Sequence, residues 1–202
     1  MTTLKTRLSA RDDFDSLRSE QEQPQRKIEI IPDSALEKLI YGFTRLVKAP
    51  LSATRGTVGD TYEISEVLMP DNHTASDVEK LCIALYDFQD SSNFSELAGV
   101  YLSAAVNHAE DNRIQLPVRV LGKRLHYLGA YLNGKNLRIL GDVESHLGYE
   151  MRDGLIEVTG NAGRDIGFNS KKGKIHIRGN AESVVHVQFR GAIIKVDGTM
   201  GV

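Results

Sequence analysis

The side chains able to ligate a metal or act as nucleophiles are few and scattered. The chain holds one cysteine, Cys82, and six histidines. A lone cysteine can neither close an intramolecular disulfide nor form a redox pair. Cys82 also sits among Leu81, Ile83, Ala84 and Leu85, an apolar helical run in which a thiol fills core space. A zinc centre needs three or four convergent nitrogen or sulfur donors. His126, His146, His176 and His186 stand ten or more residues apart and in different registers, so no metal set follows. His108, at a partly apolar helical position, reads as a packed or rim histidine. Gly56 and Gly59 are not followed by Gly-Lys-Ser/Thr, which a phosphate loop requires. Serine, aspartate and glutamate are too numerous and dispersed to single out a triad or a carboxylate pair. The sequence therefore assigns no catalytic residue, cofactor or metal, and the chain is expected to have no catalytic activity of its own.

Charge offers a second kind of chemistry. The net charge of -2 conceals a split, because residues 118–202 carry thirteen Lys and Arg against eight Asp and Glu. A basic module follows an acidic one. Arg152, Lys171 and Arg190, in line with Asn133 and flanked by Lys172 and Lys174, set cations at a recurring interval. Such a row could hold a polyanion or an acidic protein surface, or serve as a solvated face that discourages mis-stacking. The imbalance is modest for nucleic-acid binding.

What positions that row is a repeat. Glycine recurs at Gly122, Gly141, Gly160, Gly179 and Gly198, nineteen residues apart each time and with no gap. A fixed period is the signature of a repeat architecture. Val118, Leu137, Ile156, Ile175 and Ile194 share the register, and two residues later so do Val120, Ile139, Val158, Ile177 and Val196. Polar or charged residues lie between the two rows, as in a strand with one buried face. A further apolar row is Leu128, Leu147, Ile166 and Val185, followed by Ala130, Tyr149, Phe168 and Val187. Gly129, Gly148 and Gly167 stand between these rows, with His186 in the fourth coil, and suit corners where a Cβ is excluded. Lys123, Asp142, Asn161 and Asn180 follow the periodic glycines, and Asn and Asp there tolerate left-handed turns and can ladder between coils.

Nineteen residues are too few for a strand, a crossover helix and a return, yet strands stacked in register must be parallel. A parallel β-helix meets both conditions, with like strands about 4.8 Å apart and a right-handed coil. Antiparallel hairpins are the rival arrangement, but they rarely keep an ungapped period.

The segment 122–154, GKRLHYLGAYLNGKNLRILGDVESHLGYEMRDG, resembles the glycine-rich C-terminal β-helix (GXGXG) domain of the glutamate synthase large subunit. That domain also occurs in the assembly subunit of formylmethanofuran dehydrogenase and formyltransferase/hydrolase complexes. The Leu128-Gly129-Ala130-Tyr131-Leu132 step, the Leu137-Arg138-Ile139 strand, the Gly141-Asp142 turn and the Leu147-Gly148 corner carry the resemblance, as does the helix entering the first coil. It covers roughly residues 95–198 and implies a structural or assembly role, since the catalytic centres of those enzymes lie in other domains or subunits.

Ahead of the repeat, residues 1–27 are polar and read as a tail, and Lys27–Ile31 as a short strand. Leu36, Leu39, Ile40, Phe43, Leu46 and Val47 have helical spacing, bounded by Pro50. Residues 52–61 read as a loop. Ser76-Asp77-Val78-Glu79 and Asn93-Phe94-Ser95-Glu96 each have the form of a capping box opening a helix, the last running to about Glu110. The expected class is α+β: a tail at 1–27, a helical domain or cap at 28–112, and a right-handed parallel β-helix of four to five coils at 113–202. Without a signal-like start or a membrane-length apolar run, a cytoplasmic location is expected.

Only Thr199-Met200-Gly201-Val202 follow Gly198, too short to cap a last coil, so the edge at Val187, Ile194 and Val196 is expected to be open. Open parallel edges invite another chain. The function expected is a scaffold or assembly subunit with a protein partner or a second copy at that end. The alternatives are a subunit of an amidotransferase or formyl-transfer complex, and a polyanion-binding or filament-forming β-helix.

Overall fold

The computed structural model describes residues 34–49, 57–183 and 192–201. The expected tail and first strand, Pro50, Val185, His186, Val187 and Arg190 lie outside the described residues. Among the described residues four helices come first: α1 Ala35–Lys48, α2 Val58–Val67, α3 Ala75–Ala84 and α4 Phe94–His108. Five strands follow among them: β1 Arg113–Leu116, β2 Lys135–Ile139, β3 Gly154–Val158, β4 Gly173–Ile177 and β5 Ala192–Val196. They pair in chain order, every pair parallel, as a solenoid of about four turns. The class is α+β, as the repeat requires.

α1 begins at a reciprocal cap: Ser34 Oγ accepts the Glu37 N–H at 3.1 Å, and Glu37 Oε2 accepts the Ser34 N–H at 3.1 Å. It buries Leu39, Phe43 and Leu46, each contributing about 1.5–3 kcal/mol of hydrophobic stabilisation. The stretch expected as a loop contains the start of α2. Thr57 caps it by accepting the Asp60 N–H at 3.1 Å, and burial of Tyr62 and Ser65 overrides the weak helix preference of Gly59. α3 starts at Thr74 rather than at Ser76, because the Thr74–Asp77 pair closes the box reciprocally. α4 does begin after Asn93, but Asn93 is left-handed, with φ 57°, and its side chain makes no cap bond.

Within the solenoid, Leu137, Ile156, Ile175 and Ile194 lie opposite one another on successive strands, as do Ile139, Val158, Ile177 and Val196. Arg138, Glu157, His176 and Lys195 face out between them, and Glu157 pairs with both Arg138 and Arg178. The corner after each strand is held by an Asx ladder. Asp142 Oδ1 accepts the Asn161 N–H at 2.7 Å, Asn161 Oδ1 the Asn180 N–H at 2.9 Å, and Asn180 Oδ1 the Thr199 N–H at 2.9 Å. None of the three is left-handed, so the ladder alone accounts for them. Gly160, Gly179 and Gly198 each stack on the glycine carbonyl of the coil before, where a Cβ would come within 2.6–2.7 Å of it.

The first coil departs from the nineteen-residue count. β1 pairs Ile114 with Leu137 and Leu116 with Ile139, four residues earlier than Val118 and Val120. Pro117 ends the strand, since it has no N–H for the ladder, and Val118–Val120 forms a 3-10 turn. Gly122 consequently leaves the glycine column and donates its N–H to Gln89 Oε1 at 2.5 Å. Lys123 likewise leaves the ladder, and its Nζ donates to the Gln89 carbonyl at 2.6 Å.

Leu128, Leu147 and Ile166 are buried as expected, but Tyr149 and Phe168 are not inward-facing. The interior there is filled by Leu132, Met151 and Ser170 instead. One cluster joins Phe43, Leu81 and Tyr101 of the helices to Leu116, Ile156 and Ile175 of the coils, so helices and solenoid share a core.

Candidate interaction surfaces

The misplaced aromatics trace to a turn repeated in every described coil. In His146-Leu147-Gly148-Tyr149-Glu150 the first, third and fifth residues are left-handed, with φ 63°, 68° and 49°. Tyr127, Gly129 and Tyr131 do the same one coil earlier, and Asp165, Gly167 and Asn169 one coil later. Each non-glycine residue there costs about 1 kcal/mol or more. At Gly148 a Cβ would also meet Ile175 Cδ1 at 2.7 Å. Alternating left-handed residues break the strand alternation, so Tyr149 and Phe168, two beyond Leu147 and Ile166, are only partly buried, whereas Ala130 in the first coil is fully buried, as expected, with its N–H on Ser103 Oγ of α4.

The result is an aromatic patch along this corner. Tyr149 and Phe168 stack in parallel, 5.6 Å apart at 3°. Tyr127 stacks on His146 at 4.6 Å, and Tyr131 packs against Tyr62 of α2 at 4.5 Å. Burial, with Glu150 adding to it, pushes the Tyr131 hydroxyl up to about 12. Burial also pushes Tyr62 up to about 12, although Asn107 donates to its hydroxyl at 2.7 Å and opposes the shift. His146 is lowered by burial, partly offset by Asp165 at 3.5 Å.

The two ends of the solenoid differ. At the first coil, α4 stands in for a missing coil through one stripe at four-residue spacing: Ser95, Gly99, Ser103 and Asn107. The Ser95 carbonyl accepts the His126 N–H at 3.1 Å. Gly99 lets the His126 carbonyl approach so closely that a Cβ would lie 1.7 Å from its oxygen. Ser103 Oγ donates to Gly99 O at 2.7 Å and also meets Tyr127 O at 3.0 Å and the Ala130 N–H at 3.3 Å. Asn107 Oδ1 accepts the Asn133 N–H at 3.0 Å. β1 is covered by α3, whose Ala75 N–H donates to Asp111 Oδ2 at 2.7 Å, while Glu110 N–H donates to His73 O at 2.9 Å. The sequence reading missed this stripe, although its small and polar residues at every fourth position are the signal for it.

At the other end, the outer edge of β5 meets no strand among the described residues. Ile194 and Val196 are only partly buried, and Ile193 and Met200 are 61% and 50% exposed. Lys195 Nζ lies 2.7 Å from Asp197 Oδ1, and His176 Nε2 lies 2.8 Å from Asp197 Oδ2.

The basic row is assembled in part. Arg152 and Lys171 are exposed, and their N–H groups donate to Leu132 O and Met151 O, so they occupy equivalent places on successive coils. The Arg152 guanidinium lies 5.9 Å from the Tyr131 ring centroid, and Lys172 is 3.2 Å from Asp153. Cys82 is fully buried, and burial pushes its thiol up to about 12. His108 is half-exposed beside Glu66 at 3.2 Å. Among the described residues no three His, Cys, Asp or Glu side chains converge on a metal position, and no helix is long and apolar enough to cross a membrane.

The fold and these surfaces define a helix-capped parallel β-solenoid. Comparison with protein-family models, curated proteins and solved structures found no match for the chain.

Proposed function

We propose that this chain is a noncatalytic β-helix assembly module that takes up a protein partner on the outer edge of β5. The observation that carries this reading is the difference between the ends. Helices α3 and α4 satisfy the backbone of the first coil, whereas β5 presents an edge without a strand partner among the described residues. Natural sheets blunt such edges with charge, bulges or covering elements. β5 carries one such charge, Lys195 on its outward row, but it also exposes Ile193 beside a half-buried Ile194, and the neighbouring turn exposes Met200. The resemblance to the β-helix domains of glutamate synthase and formyl-transferring complexes supports the same structural role.

Ile193→Lys with Met200→Lys tests the proposal. Both side chains are exposed, so the melting temperature should stay within a few degrees, while any complex formed by the unmodified chain, with itself or with another protein, should dissociate. Assemblies that survive both substitutions unchanged would defeat it.

A further inference from the structure

The strand that the β5 edge takes up can be specified, and this step rests on the assembly reading above. We propose that it is Lys27–Ile30 of another copy of the chain, added parallel to β5 with Ile28 opposite Ile194 and Ile30 opposite Val196, so that copies join head to tail. Residues 27–30 lie outside the described residues; their sequence, the free edge of β5 and the start of α1 select them.

Lys27-Ile28-Glu29-Ile30 differs only at its third position from Lys174-Ile175-His176-Ile177, the strand that β5 already pairs with on its other side. Set on the free edge, Ile28 extends the inward row of Leu137, Ile156, Ile175 and Ile194, and Ile30 that of Ile139, Val158, Ile177 and Val196. The half-buried Ile194 and Val196 thereby gain the cover that the earlier strands have. On the outward face Glu29 falls opposite Lys195, as Glu157 does opposite Arg138, and Lys27 can lay its aliphatic stem over the exposed Ile193. Arg26 stands where β3 and β4 begin with Gly154 and Gly173, so pairing starts at Lys27 and spans all of β5 after Ala192. Pro32 comes just after the segment, as Pro117 follows β1.

The backbone of β5 accepts this register. Asp197 N–H donates to Ile177 O at 2.9 Å, so by alternation Ile194 and Val196 hold their N–H and C=O toward the free edge. A parallel strand meets all four groups. The Lys27 and Glu29 carbonyls accept from Ile194 and Val196, and the Glu29 and Ile31 N–H groups donate to the carbonyls of Ile194 and Val196.

The donor is another copy because the tether is short. Only Pro32 and Asp33 separate Ile31 from the exposed Ser34 that caps α1, a reach of about 11 Å. α1 packs on α3 and α4, with the Leu39 carbonyl accepting from Tyr101, and those helices cover the first coil. From β1 to β5 the stack rises four steps of about 4.8 Å, about 19 Å in all. A copy therefore cannot lay residues 27–30 on its own β5, but it can lay them on the β5 of a copy stacked against its helical end. The contact is heterologous: each copy offers a donor strand at one end and an acceptor edge at the other.

The test uses the full 202-residue chain in sedimentation equilibrium. The unmodified chain should exceed the 22.4 kDa of one copy and grow in mean mass with concentration, without stopping at two copies. Ile28→Lys with Ile30→Lys removes the donor. Val196→Pro removes the acceptor N–H, which faces away from β4, so proline breaks no existing ladder bond. Each variant should sediment as one copy, and the two mixed should form a one-to-one complex and nothing longer, because one intact edge meets one intact donor. Glu29→Lys and Lys195→Glu each set like charges opposite and should weaken assembly about fivefold at low salt, and the chain carrying both should regain it. Where circular dichroism shows that Val196→Pro does not fold, a peptide of residues 24–33 in excess takes its place. It should hold the unmodified chain at one copy, and its Ile28→Lys form should not. A one-copy mass at every attainable concentration, or assembly that Ile28→Lys with Ile30→Lys leaves unchanged, overturns the proposal. If an assembly, with itself or with a different protein, survives the donor change yet is released by Ile193→Lys with Met200→Lys, the donor strand is wrong and the assembly role stands. If no assembly responds to changes at β5, both fall.

Discussion

Asp142 and Asn161 occupy the same corner of successive coils, and Asp142 Oδ1 accepts both the N–H and the side-chain Nδ2 of Asn161, at 2.7 and 3.2 Å. Asn161 passes the bond on to Asn180. Replacing Asn161 with Ala removes the acceptor for the Asn180 N–H, at a cost of about 1 kcal/mol in urea unfolding. Asp142→Asn keeps an acceptor oxygen and should cost much less. Equal losses for the two would show that the ladder is not what holds the corner.

The same substitution at two helical glycines should have opposite signs. Gly59→Ala meets nothing closer than Tyr131 Oη at 3.5 Å and should stabilise α2 by about 0.5–1 kcal/mol. Gly99→Ala drives a methyl into the His126 carbonyl and must separate α4 from the first coil. A loss on the order of 2–3 kcal/mol is expected, read from the denaturation midpoint.

His73 is fully buried, with Nδ1 3.0 Å from the Pro70 carbonyl and Nε2 2.7 Å from the Ala105 carbonyl. His73→Leu keeps bulk but removes the ring's contacts to both carbonyls, leaving the Ala105 carbonyl with the Ala109 N–H alone. The expected cost is about 2 kcal/mol, with local loosening seen as faster amide exchange in α4.

Alkaline stability should follow the tyrosines. Tyr62 and Tyr131 have folded values pushed up to about 12, against about 10 in the unfolded chain. The folded state retains protons that the unfolded chain releases, so stability is intact below about pH 10 and falls as pH rises toward the folded values. Tyr131→Phe should flatten that fall and move the alkaline midpoint upward, followed by tyrosinate absorbance. An unchanged midpoint would contradict it.

At the acid end, the Thr74 backbone N–H and then its hydroxyl hold Asp77 below the usual carboxylate range. A depressed folded value contributes stability above the unfolded value, near about 4, and the contribution is lost as pH falls through the folded one. Asp77→Asn should therefore lower stability at neutral pH and reduce its acid-side slope, measured by urea unfolding across pH.

The parallel stacking of β2 to β5 was legible because period-two alternation inside a nineteen-residue period admits few other folds. The Asx ladder was legible too, from Asp142, Asn161 and Asn180 in one column. Tyr149 and Phe168 were misread because alternation assumes extended backbone, and the left-handed turns around Gly148 and Gly167 break it. Helix α2 was missed because Ser52, Thr54, Gly56, Thr57, Gly59 and Thr61 give its start the composition of a loop, while the burial that stabilises it is against distant residues.

By itself, then, the sequence determined a coiled stack of parallel strands with apolar rows inward and a charged row outward, since those follow from periodicity alone. Which end of the stack is closed was decided only in three dimensions. The Ser95, Gly99, Ser103 and Asn107 stripe becomes a cap when α4 lies within hydrogen-bonding reach of the first coil, and Pro117 shifts that coil's strand to Arg113–Leu116. Both depend on contacts between residues far apart in the chain, which no local pattern encodes.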